Sequence, residues 1–297
     1  MRWTALAVVM VTATACGRTG LVAGEFADGG SIDDPFDDDD DHDEPPAPVD
    51  CDKVDFLFVI DNSASMFDHH TNLVDSVDVF TDGIERVIDQ KIDLHVGVVT
   101  TDIYSGTDDE CHVLGGLVTS TSGAHSSSMD CGPFAEGNYM TEADDLATDF
   151  ECAAMVGTQG SDIEAPMDAM IAAIREDGTA AECNAGFIRP DALLVVVMVT
   201  DEWDGPGDPE DAGSTTGPEA WRKQLVLTKG SEDAVVFVAL VNETPRQCWP
   251  HHERNDGTPI VEFAESLPFG FTGSVCGDYG ETFSQATGVV AAACAGE

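Results

Sequence analysis

Val54-Asp55-Phe56-Leu57-Phe58-Val59-Ile60 runs directly into Asp61-Asn62-Ser63-Ala64-Ser65. The first seven residues are apolar except for Asp55, the pattern of a strand covered on both faces. The next five place a carboxylate and two hydroxyls at alternate positions on the turn that leaves this strand. Three oxygen side chains are thereby offered to one point. Hard divalent cations bind oxygen, and Mg²⁺ takes octahedral oxygens with few carboxylates and several waters. The stretch defines a central strand and, at its carboxyl end, a candidate metal site.

Strand-like and helix-like runs alternate outward from it. Phe67–Gln90 carries Leu73, Val77, Phe80, Ile84 and Val87 at spacings of three and four, an amphipathic helix. Leu94–Thr100 reads as a second strand and Val113–Val118 as a short third one, at an edge or in a hairpin. Residues 120–150 are rich in Ser, Gly and Asp and read as a disulfide-pinned loop holding the partner of Cys111. Ser161-Asp162-Ile163-Glu164 has the form of a capping box opening a helix Ile163–Ile174. Ala192–Thr200 is an uninterrupted apolar run, as expected of a central strand. Pro218–Leu227 is helical, Val235–Val241 a strand, Ile260–Leu267 a helix, Phe271–Val275 a short strand and Glu281–Ala293 a last helix. Such alternation implies an α/β, doubly wound fold: a mostly parallel central sheet with helices on both faces and one short antiparallel edge strand.

Sites in such sheets lie at the carboxyl ends of strands, where strand order reverses. Asp61, Ser63 and Ser65 follow the first strand, and Asp201 follows the long central one. Val156-Gly157-Thr158-Gln159-Gly160-Ser161 adds a hydroxyl flanked by glycines just before a helix. Taken in this order, the aspartate–serine–serine motif, the Thr158 loop and Asp201 resemble the von Willebrand factor type A (VWA) domain over about residues 51–297. The segments Gly157–Ser161 with Glu164, Asn184–Ala192 and Thr200–Asp204 look like surface lipoproteins of that family from myxobacteria-like organisms. The resemblance implies a Rossmann-like VWA fold with a metal ion-dependent adhesion site (MIDAS). Ser63, Ser65 and Thr158 would bind the cation directly, and Asp61 and Asp201 mainly through water. It further implies a protein partner that presents Asp or Glu at the open position. Mg²⁺ is the favoured ion, and Ca²⁺ and Mn²⁺ suit the same oxygens.

Composition and termini set the context. A signal peptide is expected over residues 1–15, where Arg2 precedes the apolar run Ala5–Val11 and the small residues Thr12–Ala15. Cys16 then resembles the lipidated first residue of a bacterial lipoprotein, although Ala13 stands where a larger aliphatic residue is usual. Residues 16–50 hold the run Asp33–Glu44 and the prolines 45, 46 and 48. Like charges extend a chain and prolines stiffen it, so this segment reads as a disordered tether. Residues 51–297 form the expected single domain. Eight further cysteines are disulfide candidates: Cys51, Cys111, Cys131, Cys152, Cys183, Cys248, Cys276 and Cys294. Cys51 with Cys294 would tie the domain's ends, and Cys248 with Cys276 is a second expected pair; eight cysteines permit about 105 pairings. The formal net charge of −45, from 57 acidic and 12 basic residues, excludes nucleic acid as a partner, since phosphate contacts need Lys and Arg. The expected place is the bacterial cell envelope, at the outer membrane or cell surface, with membrane attachment through the lipid only.

Other classes fit less well. A hydrolase using Ser63 or Ser65 needs a positioned base, yet His69-His70 at a helix start reads as solvent-facing, and no Gly-x-Ser-x-Gly elbow exists. His251-His252 lacks a third ligand at metal spacing. The acidic loop Asp204–Asp211 lacks an EF-hand register and reads as a solvated turn. A structural envelope protein with a vestigial site is the remaining alternative. No catalytic residue is assigned.

Overall fold

A computed structural model describes residues 50–87, 92–104, 111–161, 164–206, 213–242 and 257–295. The expected signal peptide, Cys16, the acidic tether, Cys248, His251-His252 and residues 207–212 lie outside the described residues. Five strands, β1 (Asp50–Ile60), β2 (Asp93–Thr100), β3 (Ala192–Val199), β4 (Val235–Val241) and β5 (Phe269–Ser274), form one sheet in the order β2-β1-β3-β4-β5. Every neighbouring pair is parallel. The helices are α1 (Phe67–Val87), α2 (Leu146–Ala154), α3 (Pro166–Ile174), α4 (Pro218–Lys229), α5 (Thr258–Glu265) and α6 (Tyr279–Ala295).

The central strands read as continuous apolar runs because both of their faces are covered. Phe56, Phe58, Val195, Val197, Val236 and Val238 pack with Leu73 of α1, Phe150 of α2 and Phe283 of α6. The alternate residues Leu57, Val59, Val196, Met198, Phe237 and Ala239 pack with Met170 of α3, Trp221 of α4 and Phe263 of α5. Side chains alternate across a strand, so each strand feeds two cores. The fold is therefore doubly wound, as the alternation of elements predicts.

Three expectations need correction. Val113–Val118 is not an antiparallel edge strand. Leu114-Gly115 turns the chain, with Gly115 at φ +76° and the Gly116 N–H donating to Val113 O at 3.0 Å. Only Val118 N reaches β2, at Val98 O, 2.8 Å away, while Val96 makes its isolated antiparallel bridge with Met140. Second, the partner of Cys111 is Cys183, outside residues 120–150; that loop is pinned instead by Cys131–Cys152 and runs into α2. Cys51–Cys294 does join the domain's ends. The expected Cys248–Cys276 pair falls on a residue outside the described set.

Third, Ser161–Glu164 does not cap α3, which starts at Pro166. Proline disfavours the helical conformation in the residue before it and suits the first helical position itself, so the helix begins two residues after Glu164. Its own N-cap, Ala165, supplies no side-chain bond. The acceptor comes from the β3–α4 loop, where Asp204 Oδ2 receives Met167 N at 2.8 Å and Ser214 Oγ at 2.9 Å. Asp204 is thus fully buried, not part of a solvated turn. Asp168 in the first turn of α3 accepts in return from Thr215 N, Thr215 Oγ1 and Thr216 Oγ1.

At the amino-terminal end of the sheet Asp55, the one polar residue of the run Val54–Ile60 in β1, is fully buried and paired. Arg189 donates to it from its backbone N at 2.7 Å and from Nε at 2.8 Å, and its Nη2 bonds the carbonyls of Val54 and Asp93. Lys229 Nζ lies 4.0 Å from the same carboxylate. Removing one partner of a buried pair leaves an uncompensated charge, which costs about 3–5 kcal/mol. Arg189→Met is therefore expected to lower unfolding free energy by about that amount. In Arg189→Met/Asp55→Leu/Lys229→Met the loss should be smaller, because neither an orphan carboxylate nor an orphan ammonium remains. Urea unfolding checks both, and a triple variant no more stable than the single would show that the paired charges are not the cause.

Candidate functional site

β1 and β3 are neighbours in parallel register, with Ile60 opposite Val199, so the residues leaving both strands emerge together. From β1 the sheet extends to β2 on one side and to β3 on the other. Crossovers diverge at that edge and open a crevice beyond the strand ends, the usual ligand position in open α/β sheets.

Asp61 forms the floor of this crevice and is fully buried. Its N–H donates to Val199 O at 3.0 Å, locking it to β3. Oδ1 accepts from Ser63 N at 2.8 Å, and Oδ2 from Thr200 Oγ1 at 2.7 Å. His70 Nε2 donates to the Asp61 carbonyl at 2.6 Å. His70 is buried rather than solvent-facing, because α1 begins right after the turn and brings its first full turn back beneath Asp61.

Above Asp61, the hydroxyls of Ser63 and Ser65 share a hydrogen bond of 2.9 Å, and Ser65 Oγ donates to Asp201 Oδ1 at 2.9 Å. Ser63 is buried and Ser65 exposed, so the oxygens run from the floor to the surface. Four of the five expected ligands are thus brought together. Thr158 is engaged elsewhere: its Oγ1 bonds His125 Nδ1 at 2.7 Å. Its loop still touches the turn, since Gly160 N donates to Asn62 O at 2.8 Å. A Cβ on Gly160 would fall 2.5 Å from Asn62 Cγ, so only glycine allows this approach. The hydroxyl of Ser161, next to that contact, is a second candidate from the same loop.

Negative charge accumulates here. Burial, and then the nearby Asp201, push the Asp61 carboxyl up to about 6. Glu164, also buried, is pushed up to about 10, first by burial and then by Asp61. The Thr101 hydroxyl donates to Glu164 Oε2, while Oε1 is buried without a hydrogen-bond partner. Among the described residues, no ion pair involves Asp61, Asp201 or Glu164. A buried acidic group without a counter-charge is the electrostatic complement of a cation. No three His, Cys, Asp or Glu side chains among the described residues are grouped to hold a metal, so any cation site here rests on hydroxyls beside carboxylates.

Sequence reasoning missed Thr200, His70, Thr101 and the placement of Glu164. Thr200 had a signal, as it directly precedes Asp201 on a buried strand. Glu164 was masked by its capping-box spacing, and His70 by its histidine neighbour.

No family model matches the chain, and no curated protein matches it. Among solved structures it is similar to proximal thread matrix protein 1 from the mussel byssus, with 16% identity and a TM-score of 0.43 over 82% of this chain and 48% of that one. It is also similar to a von Willebrand factor type A protein from Catenulispora acidiphila, with 14% identity and a TM-score of 0.40 over 82% of this chain and 42% of that one. The chain spans less than half the length of either.

The raised carboxyl pKa values fix a pH trend. A carboxyl whose folded pKa lies above its unfolded value adds stability that is complete below the unfolded pKa and lost as pH rises through the folded one. Asp61 and Asp204 both stand at about 6, Asp204 chiefly through burial. In chelator, the urea midpoint is expected to fall as pH rises from about 4 to about 7. The fall should be shallower in Asp61→Asn. An identical slope in that variant would remove Asp61 as a source of the trend.

Proposed function

We propose that this chain is an envelope-tethered binding module that uses a MIDAS-like divalent-cation site to capture an acidic group on a protein partner. One observation carries the reading. The Ser63–Ser65–Asp201 oxygen chain converges over the buried Asp61 at the point where strand order reverses, with no cation among the described residues paired to these carboxylates.

The residues fit a hard cation held with few direct carboxylates. Ser63, Ser65 and a hydroxyl from the 157–161 loop, Thr158 or Ser161, would hold it directly, and Asp61 and Asp201 would act through water. Mg²⁺ fits this set, and Ca²⁺ or Mn²⁺ could take the same oxygens. When bound, such a cation supplies positive charge that neutral hydroxyls leave incompletely neutralised, and so attracts a partner's Asp or Glu carboxylate. Asp61 fixes the turn that presents both serines, and Thr200 and His70 fix Asp61. His70 Nε2 is committed to the Asp61 carbonyl rather than to a serine hydroxyl, which favours binding over nucleophilic chemistry.

Tethering belongs to the same proposal. It draws on Cys16 after a signal-like segment and on the acidic, proline-bearing residues 16–50. No helix among the described residues is long and apolar enough to cross a membrane.

Calorimetric titration of the chelated protein with Mg²⁺, Ca²⁺ and Mn²⁺ tests the site. Saturable one-site binding, lost in Asp61→Ala and weakened at least about tenfold in Ser63→Ala, is the expected result; tenfold corresponds to about 1.4 kcal/mol, the scale of one lost ligand bond. Parallel titrations of Thr158→Ala and Ser161→Ala decide which hydroxyl completes the set. Binding unchanged in Asp61→Ala would overturn the site and favour a vestigial, structural role.

A further inference from the structure

Beside the candidate metal site lies a cavity of about 540 Å³. Its lining includes Asn62, Asp102, Tyr104, Ser122, Val156 and Gly160. Asn62 stands between Asp61 and Ser63 in the chain, so this cavity and the metal site share one turn. The volume falls within the range of pockets that hold a small ligand or a single long side chain.

Its chemistry is one-sided. The half-buried Asp102 accepts from Asn62 Nδ2 at 3.0 Å, Thr100 Oγ1 at 3.1 Å and Ser161 N at 2.8 Å. All three donors are neutral, and among the described residues no Lys, Arg or His lines the cavity. A carboxylate oxygen has about two lone-pair sites, so Oδ2, with one donor, retains capacity to accept. Asn62 is 3% exposed, and its Oδ1 is buried with no hydrogen-bond partner. The amide is not reversed, because Nδ2 is the atom that meets the Asp102 carboxylate. The cavity therefore presents a carboxylate that has no counter-ion among the described residues. The exposed Ile103 adds an apolar side chain to an otherwise mostly polar lining.

We propose that this cavity is a subsite for an arginine side chain of the protein partner, next to the acidic group taken by the metal site. A guanidinium carries five donors in a planar fork and matches a carboxylate better than the point charge of an ammonium. One edge serves Asp102, while the aliphatic stem lies along the exposed Ile103. A metal ion is disfavoured as occupant by the single carboxylate and by a volume far above one ion's. The inference rests on the proposed binding function for its partner, but not on the metal for its binding.

The test is NMR titration of the full chain with N-acetyl-arginine amide, in Mg²⁺ and again in chelator. Saturable shifts are expected at the amides of Asn62, Gly160 and Ser122 in both conditions. Affinity should fall at least about tenfold, or 1.4 kcal/mol, in Asp102→Asn and with N-acetyl-citrulline amide, the uncharged analogue. Ser122→Tyr, on the exposed rim, should block the cavity without touching the Asp102 bonds. No saturable shift, equal binding of citrulline, or displacement of the probe by Mg²⁺ or Ca²⁺ at these amides would overturn the proposal, the last marking a second cation site. Ser63→Ala should abolish or weaken metal binding and leave arginine binding unchanged, so failure of the arginine subsite is distinguishable from failure of the metal site.

Discussion

A carboxylate buried at the end of a parallel strand is the constraint on which this site depends. Asp61 is bonded to β3 through its backbone, to Thr200 and Ser63 through its side chain, and to His70 through its carbonyl. Each bond places a different element: the β1–β3 edge, the serine turn and the start of α1. None of them neutralises the charge. Hydrogen bonds to an ion soften its burial but do not replace a counter-charge, so the carboxyl holds its proton well above the usual range. The turn is thus rigid in geometry and unsatisfied in charge, a combination that favours binding a cation over merely closing a loop.

Much of this was legible in the sequence, and the reason is burial. β1, β3 and β4 lie between two helix layers, so their residues must be apolar on both faces, and Val54–Ile60, Ala192–Val199 and Val235–Val241 announce themselves. The oxygen set at Asp61, Ser63, Ser65 and Asp201 was legible because parallel strands deliver their carboxyl ends to one edge. What the sequence hid was chosen by tertiary contact. Ser161-x-x-Glu164 has the spacing of a capping box, but Pro166 starts the helix later, and Glu164 turns inward to Thr101. The true cap, Asp204, sits in a stretch of Gly, Pro and Asp whose composition suggests solvent. Residues 113–118 are apolar because Leu117 and Val118 pack against the sheet, not because they extend it. α2 escaped notice because nine residues of mixed composition, held by Cys131–Cys152, need little amphipathic signal of their own.

The two ends of the sheet treat buried acid in opposite ways, and the contrast separates structure from function. At the amino-terminal end Asp55 meets Arg189 at hydrogen-bond distance and Lys229 beyond it, and Arg189 also satisfies nearby carbonyls. That arrangement is complete: donors and charge balance without any outside group. At the carboxyl-terminal end Asp61, Asp201, Glu164 and Asp102 have hydroxyl and amide donors only among the described residues. With only 12 Lys and Arg against 57 Asp and Glu, cations are scarce, and two of them serve a single aspartate at the other end. Stability alone would be better served by neutral side chains at the crevice, since each unpaired buried carboxyl there costs free energy. A cost retained at the edge where parallel sheets bind ligands fits the proposed site, which a metal ion at Asp61 and a partner's cation at Asp102 would complete from outside.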